Sequence, residues 1–139
     1  MKVFTKTLEF NTSGEGEVID LTERVRETVR ESGVLNGTAT VFVPGSTGAV
    51  TTIEYEPGLK KDIMNILERI APRDLYYEHE KMWHDHNGHS HVRASLIGPS
   101  LTVPIVEGEL ILGTWQQIVF LELDGRSRRR RVIVQVMGV

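Results

Sequence analysis

Strand-like segments outnumber helical ones along this chain and do not alternate with them, and this arrangement restricts the fold more than any other feature. We count about seven segments of strand character against two amphipathic helices. A doubly wound parallel fold needs regular alternation of the two, whereas an antiparallel sheet does not. The sequence therefore predicts an α+β fold with a mainly antiparallel sheet or sandwich. The 139 residues suit a single domain, residues 1–139.

The two helices are predicted from their apolar spacing. In the first, Leu21, Val25 and Val29 recur every four residues, and Gly33 is suited to end the helix. The sequence from Asp20 to Glu23 has the form of a capping box, in which the second acid bonds back to the cap. The second helix follows Pro57-Gly58, ends before Pro72 and carries an apolar stripe formed by Leu59, Ile63, Ile66, Leu67 and Ile70.

Turn signals pair several of the strands. Lys2–Phe10 alternates in polarity and is predicted as a strand with Phe4, Leu8 and Phe10 on one face. A hairpin is predicted across Glu107-Gly108, with the strand that contains Pro104 at an edge or a bulge. A second hairpin is predicted across Asp124-Gly125, and it joins strands 116–123 and 131–137.

Composition excludes several classes of function. The chain has no cysteine, so disulfides, zinc fingers and thiol nucleophiles are excluded, and a cytoplasmic location is expected. No signal-peptide pattern is seen in residues 1–6, and no apolar run approaches the ~20 residues of a membrane span. The net charge is −3, and the arginines of 126–131 would alternate between strand faces and are expected to be solvated. Nucleic-acid binding is therefore not expected.

All five histidines lie between His79 and His91, in a polar segment that is predicted to be irregular. Histidine is the commonest metal ligand, and three imidazoles with a water in the fourth position form an open zinc-type site. We predict His79, His89 and His91 as the ligands, with Asp85 as a further ligand or as the group that orients a ring. A solvated loop that binds nothing is the alternative, and His84 and His86 are expected to be bystanders.

Hydroxyl groups and glycines follow a predicted strand at Pro44–Ala49. Such a segment can present backbone N–H groups to an anion, so Ser46 and Thr47 are candidate phosphate ligands, although a plain turn explains the pattern as well. Glu54 lies shortly after this segment. Its carboxylate could serve a metal or act as a base, or it could simply be exposed.

Further polar residues are candidates for a small-molecule pocket. Ser100 in Gly98-Pro99-Ser100 and Thr114 in Gly113-Thr114-Trp115 are hydroxyl residues just before strands, and Trp115 adds a flat apolar surface. Arg93 lies in a short helix that is predicted to be capped by Ser90 and to end at Gly98, and it could contact an anion near the histidines. An interface or a packed core would explain the same pattern.

Three segments together resemble the YjbQ-like family, also called the secondary thiamine-phosphate synthase family. They are Thr52–Asp62, Asn87–Leu101 and Leu112–Ile118, and the resemblance extends over nearly the whole chain. It implies a compact α+β fold, a homotrimer, and binding of a divalent metal. On this sequence the histidine positions of the family fall on His79 and His91, with Asp85 and Asn87 between them.

The resemblance also implies a weak thiamine-phosphate synthase activity, which joins a pyrimidine pyrophosphate to a thiazole phosphate and releases pyrophosphate. One departure is that many bacterial members carry a His-Thr-Ser type of run where this chain has Pro44–Thr47. Pyrophosphate chemistry recruits magnesium through carboxylates, whereas this cluster is rich in imidazoles and suits a zinc-like ion.

Two classes of function follow from the residues and the resemblance together. The first is a metal-dependent enzyme, either a synthase of this type or a hydrolase of a phosphorylated small molecule. In it His79, His89 and His91 surround the metal, Asp85 and Glu54 are catalytic, and the phosphate is bound by Ser46, Thr47, Asn87, Arg93, Ser100 and Thr114. The second is a non-catalytic trimer that binds a metal or a ligand.

Overall fold

The computed structural model describes residues 1–139 as eight strands and four helices. In chain order these are β1 (Lys2–Asn11), β2 (Val18–Asp20), α1 (Thr22–Ser32), β3 (Gly37–Phe42), β4 (Gly48–Glu54), α2 (Pro57–Ile70), α3 (Glu80–Trp83), α4 (Gly88–Ile97), β5 (Ser100–Val106), β6 (Glu109–Leu110), β7 (Gln116–Glu122) and β8 (Arg129–Gly138). All strand pairs are antiparallel. The predicted α+β class is therefore confirmed.

The strands form two sheets. One has five strands in the order β1-β8-β3-β5-β6, and the other has three in the order β2-β7-β4. The larger core cluster contains side chains of both sheets and of α1. Examples are Leu8 and Val134 from the five-stranded sheet, Phe120 from the three-stranded sheet and Val25 from α1. A smaller cluster packs the other face of β7 against α2 and α4. Apolar burial on both faces explains why Ile118–Glu122 is buried throughout, without the alternation of an edge strand.

The hairpin predicted across Asp124-Gly125 is wrong. β7 and β8 follow one another in the chain, but β7 lies between β2 and β4 in one sheet, and β8 lies between β1 and β3 in the other. Both edges of each strand are therefore occupied by other partners. An Asp-Gly pair favours a chain reversal, but it does not decide whether the next strand pairs with the previous one or crosses to the facing sheet.

Helix α1 confirms most of its prediction and corrects the cap. Val25 and Val29 are buried, and Gly33 takes the left-handed conformation with φ of 70°. Asp20 Oδ1 accepts from the backbone N–H and the hydroxyl of Thr22. Glu23 makes no bond back to the cap, because its carboxylate is paired with Arg26 instead. The predicted capping box is therefore only half formed.

Helix α2 begins where predicted, but its apolar stripe is only partly buried. The Glu56 side chain accepts from the backbone N–H groups of Gly58 and Leu59 and so caps the helix. Leu67 is the buried residue of the stripe, whereas Ile66 and Ile70 are 50% and 60% exposed. The predicted hairpin across Glu107-Gly108 is confirmed as β5 and β6, at one end of the five-stranded sheet.

A buried ion pair joins the two sheets where the chain crosses from β7 to β8. The Arg130 guanidinium donates to both carboxylate oxygens of Glu122, from Nε at 2.9 Å and from Nη2 at 2.5 Å. Thr12 Oγ1 donates to the same carboxylate at 2.6 Å. The sequence predicts a solvated surface for the arginines, but Glu122 is fully buried and Arg130 is only 6% exposed.

Replacing Arg130 should therefore destabilise the fold strongly. Arg130→Ala leaves the Glu122 carboxylate buried without its counter-charge, which costs about 3–5 kcal/mol of unfolding free energy. Arg129→Ala is the matched control, because the Arg129–Glu9 pair is exposed on both sides and contributes at most about 1 kcal/mol. Urea unfolding followed by circular dichroism measures both, and equal losses would contradict the assignment.

Candidate functional site

The largest cavity, of about 720 Å³, opens where three segments meet. They are the loop 44–47 after β3, the segment 79–91 around α3 and the start of α4, and residues 126–131 at the start of β8. Glu9 on β1 completes the wall. Most of the lining side chains are polar or charged, so the cavity suits a polar ligand.

Five arginines line this cavity, and they divide into two sets. Arg128 pairs with Asp124 at 2.6 Å, Arg129 with Glu9 at 3.0 Å and Arg130 with Glu122. The other two, Arg126 and Arg131, are exposed and have no ion-pair or hydrogen-bond partner. The cavity therefore carries two guanidinium groups that form no ion pair within the chain.

The arginine wall is a feature that the sequence patterns did not predict. The arginines of β8 alternate between buried and exposed positions as expected, since Arg130 is buried and Arg129 and Arg131 are exposed. The cavity, however, extends around the start of the strand, so long side chains from both faces reach it. The run of arginines is the available signal, although alternation between faces argues against a common site.

Ser46 and Thr47 lie in the same cavity, as the prediction of a phosphate-binding loop requires. Thr47 is buried, and its hydroxyl accepts from Arg130 Nη2 at 2.9 Å. Its backbone carbonyl accepts from the N–H of Leu123. The loop after β3 is thus fixed to the crossing between the sheets, while Ser46 is exposed at the surface of the cavity.

His79 and His91 face each other in the cavity wall. Their ring centroids are 4.3 Å apart, and His79 Nε2 lies 3.4 Å from Asp85 Oδ1. With its amide nitrogen facing this pair, Asn87 donates to Asp85 Oδ1 at 2.7 Å and to His79 Nε2 at 3.2 Å. Burial, and after it the charge of His79, lowers the pKa of His91 below its ordinary value. The neutral form of the His91 imidazole is therefore favoured.

His89 does not join the other two predicted ligands. Both His89 and His91 belong to α4, where two residues correspond to a rotation of about 200° around the axis. His89 is buried, its Nε2 lies 2.6 Å from Glu15 Oε1, and its Nδ1 has no partner. No group of three or more His, Asp or Glu side chains is arranged to hold one metal ion. The three imidazoles do not meet at one point, because α4 begins at Gly88, earlier than predicted, and therefore contains both His89 and His91.

The two expected bystanders lie outside the large cavity. His84 ends α3 with φ of 55°. His86 is exposed, its backbone N–H donates to the Glu80 carboxylate, and its Nδ1 lies 3.2 Å from the other oxygen of that carboxylate. Glu80 thereby fixes the turn that follows α3.

Four other predicted site residues also lie outside the cavity. Glu54 and Thr114 line a separate depression beside Trp115, and Ser100 lines a groove of mixed polarity between β4 and β5. Arg93 is 1% exposed, and it donates to the Ala71 carbonyl at 3.0 Å and to the Glu68 carboxylate at 2.6 Å. The guanidinium of Arg93 thus connects α4 to the end of α2.

The pKa of the Glu68 carboxyl is lowered, first by the hydrogen bond from the backbone N–H of Arg73 and then by Arg93.

A close approach of the chain helps to place the start of α4. A Cβ on Gly88 would lie 2.4 Å from the Cβ of Tyr77, so only glycine allows this contact. The hydroxyl of Tyr77 donates to the carbonyl of Pro72 at 2.7 Å. Segment 72–88 is thereby folded back against the first turn of α4, and this brings Asp85, Asn87 and His91 to one side of the cavity.

Comparison with known proteins gives one consistent family. The sequence model of the family described as "UPF0047 protein YjbQ-like" matches residues 6–139. A UPF0047 protein of Methanothermobacter thermautotrophicus is 44% identical over 138 residues, covering 99% of this chain and 94% of the relative. UPF0047 protein YugU of Bacillus subtilis is 36% identical, covering 96% of this chain and 98% of that protein.

Solved structures give the same result. The crystal structure of a YbjQ-like protein from Sulfolobus solfataricus P2 has a TM-score of 0.88 and 32% identity, and the match covers 99% of both chains. A yjbq/upf0047 family protein from Clostridium acetobutylicum gives a TM-score of 0.82 at 38% identity, covering 94% of this chain and 99% of that one. No helix of the present structure is long and apolar enough to cross a membrane.

Titration of His91 should show the effect of its surroundings. We expect a midpoint below 6.5 by NMR, and His79→Gln should move it upward because the second cause of the lowering is removed. Burial remains, so the ordinary value is not reached. His84→Gln, outside the cavity, is the control and should leave the midpoint of His91 unchanged.

The lowered pKa of His91 also determines how the stability of the fold changes with pH. Because the pKa of His91 is lower in the folded state, the unfolded state binds more protons between the two values. The contribution of His91 is therefore fully present above pH 6.5 and is lost as the pH falls below that value. A midpoint of His91 at or above 6.5 in the wild type would contradict both the lowered pKa and this pH dependence.

Proposed function

The chain belongs to the YjbQ-like UPF0047 family, and from this premise we propose that its large cavity binds the phosphate or pyrophosphate group of a small molecule. One observation carries the proposal. Five arginines, two of them without an acidic partner, line the same cavity as Ser46, Thr47 and the His79–His91 pair. We also propose a cytoplasmic location for this role.

The charge arrangement supports an anion rather than a neutral ligand. Guanidinium groups bind phosphate through paired, charge-assisted hydrogen bonds. Arg126 and Arg131 form no ion pair within the chain, so an anion can bind them without breaking one. Arg130 is already held by Glu122 and contacts Thr47, so this part of the wall is in place before a ligand arrives. Such preorganisation reduces the entropy that binding would otherwise cost.

The reaction that we favour is the synthase-type transfer that the family resemblance implies. In it, a pyrimidine pyrophosphate is joined to a thiazole phosphate and pyrophosphate leaves. Arginines aimed at the departing group would stabilise its growing negative charge, and Ser46 and Thr47 would orient it. Asp85 would act through Asn87, whose amide donates to both Asp85 and His79, and His91 would meet the substrate as a neutral ring.

A divalent metal remains a prediction. The candidate ligands are His79, His91 and Asp85. Two imidazoles and one carboxylate suit a zinc-like ion better than magnesium. These groups do not surround one point, and His89 is bound to Glu15. We therefore derive no step through a metal. Self-association as a homotrimer is proposed from the resemblance alone and is tested by analytical ultracentrifugation.

Binding of inorganic pyrophosphate tests the proposed anion site. Arg131→Ala and Arg126→Ala should each weaken binding by roughly tenfold, because each removes a charge-assisted contact of about 1.5–3 kcal/mol that solvent partly screens. Isothermal titration calorimetry at two salt concentrations measures the effect. The affinity should also fall as salt rises.

Arg69→Ala is the matched control, since Arg69 is an exposed arginine of α2 outside the cavity. It lowers the net charge by the same amount and should change the affinity less than twofold. If all three variants lose affinity equally, binding reflects net charge and the proposed site is wrong. If pyrophosphate binds but the synthase substrates give no product, non-catalytic ligand binding is the function that remains.

Elemental analysis of the purified protein tests the metal separately. If a metal is present, His79→Ala and His91→Ala should remove it while the fold persists, because both rings lie at the partly exposed wall of the cavity. His89→Ala should retain it and lower the melting temperature, because it removes a buried partner of Glu15. If His89→Ala loses the metal and His79→Ala retains it, the ion is instead bound at His89.

A further inference from the structure

The outward side of the five-stranded sheet carries three consecutive rows of side chains, each four strands wide, in which no residue is charged. The register of β1, β8, β3 and β5 places three residues of each strand in these rows, and we call the twelve residues the outer face. Ten of them are exposed and two are half-buried. In the strand order β1-β8-β3-β5, the rows run from Val3 to Pro104, from Thr5 to Thr102 and from Thr7 to Ser100.

The chain itself does not cover the outer face, and composition does not explain its lack of charge. Helix α1 packs on the inward side of this sheet, and α2 and α4 pack on the three-stranded sheet. A quarter of all residues are charged. On α1 every exposed residue is charged, namely Glu23, Arg24, Glu27, Arg30 and Glu31. Depletion of charge at an exposed surface is typical of the centre of a protein–protein interface.

The outer face is large enough to form the centre of a stable interface. Val3 is 58% exposed, and Phe42 and Met137 are each 42% exposed. Together the twelve residues expose on the order of 700 Å², whereas each partner buries about 800 Å² in an interface of standard size. A few contacts beyond the border of the face are therefore enough to complete such an interface.

The polar groups of the outer face favour a second copy of the same chain as the partner. They are hydroxyls and the Gln135 amide, and each of these both donates and accepts hydrogen bonds. In the middle row Gln135 Nε2 donates to Thr5 Oγ1 at 3.1 Å, and the hydroxyls of Thr40 and Thr102 lie 3.4 Å apart. Such groups can pair with identical groups of another copy. Because the chain has a net charge of −3, contact between copies is least opposed at a face without charge.

The outer face continues into the arginine-lined cavity. The next two rows along β1 and β8 are Glu9 beside Arg131 and Asn11 beside Arg129. Glu9, Arg129 and Arg131 are exposed, and all three line the cavity. A copy that is seated on the outer face therefore adjoins this side of the cavity.

We propose that a second copy of the chain packs on the outer face and forms one wall of the arginine-lined cavity. The contact gives the self-association proposed above a definite surface. It does not depend on the anion site, and only the role of the partner copy in ligand binding rests on the proposed function. The cavity of one chain is then completed by another chain.

A charge placed at the centre of the outer face tests the contact. In Gln135→Glu and Gln135→Lys, a charge of either sign would lose its water in the interface, so both variants should weaken association by about tenfold or more. Sedimentation velocity over a concentration series measures this, and the wild type should sediment as a multiple of the chain mass. Thr102→Lys, in the same row, repeats the test at a second position, and circular dichroism establishes that each variant is folded.

Gln116→Glu and Gln116→Lys are the matched controls. Gln116 is exposed, lies on the three-stranded sheet and, like Gln135, donates to a threonine hydroxyl, that of Thr52 at 3.0 Å. The same substitutions are thus made in the same kind of surroundings but outside the outer face. Both controls should associate as the wild type does.

A single thiol tests whether the partner copy closes the cavity, because the chain has no cysteine of its own. Glu9→Cys places the thiol at the side of the cavity that adjoins the outer face, and Thr114→Cys places one in the separate depression. A bulky maleimide reagent should label Glu9→Cys several-fold faster when Gln135→Glu is also present, because the partner copy no longer covers the thiol. The labelling rate of Thr114→Cys should not change.

Each outcome decides one part. Dissociation by the Gln135 variants with intact Gln116 controls supports the contact. A monomeric wild type, an association that survives both charges, or equal dissociation by the Gln116 variants overturns it. Dissociation without faster labelling of Glu9→Cys overturns the shared wall and leaves the contact intact. Neither measurement uses pyrophosphate, so a failure of the anion site is recognised separately, by calorimetry.

Discussion

The buried pair between Glu122 and Arg130 is the interaction on which the rest of the structure depends. A carboxylate that is fully removed from water is tolerated only when a counter-charge and further donors satisfy it. Glu122 obtains these from Arg130, from Thr12 and from the backbone N–H of Asp124. The donors come from different parts of the chain, so satisfying this one group fixes the position where the chain leaves one sheet and enters the other.

The same pair prepares the cavity. Arg130 uses one nitrogen for Thr47, which ties the loop after β3 to the crossing. Asp124, two residues beyond Glu122, holds Arg128. One wall of the cavity is therefore rigid for reasons of stability, and this rigid wall supports the unpaired guanidinium groups of Arg126 and Arg131 at its surface. Breaking the pair would disturb binding through the position of the wall as well as through the charge.

The sequence predicted the elements of the fold better than their partners. Periodicity located α1, α2 and β1, because each buries one face against a neighbour and leaves the alternation visible. It failed at β7 and β8, where adjacency in the chain favours pairing although each strand already has two partners in its own sheet. For the site, Ser46, Thr47, His79, Asp85, Asn87 and His91 were predicted and lie together. His89 was misplaced because the start of α4 lies before it, which depends on the contact of Gly88 with Tyr77.

The arginine run shows why alternation along a strand does not exclude a common site. Alternation gives successive arginines different roles: Arg130 points into the protein and binds Glu122, while Arg129 and Arg131 remain exposed. At the centre of a sheet these two faces would be separated by the sheet itself. At the start of β8 no further strand residues precede Arg129, so a cavity can extend around the strand end and be lined from both faces. A cluster of like charges is stable there because Arg128, Arg129 and Arg130 are each paired with an acid, and only Arg126 and Arg131 are left for a ligand and for water.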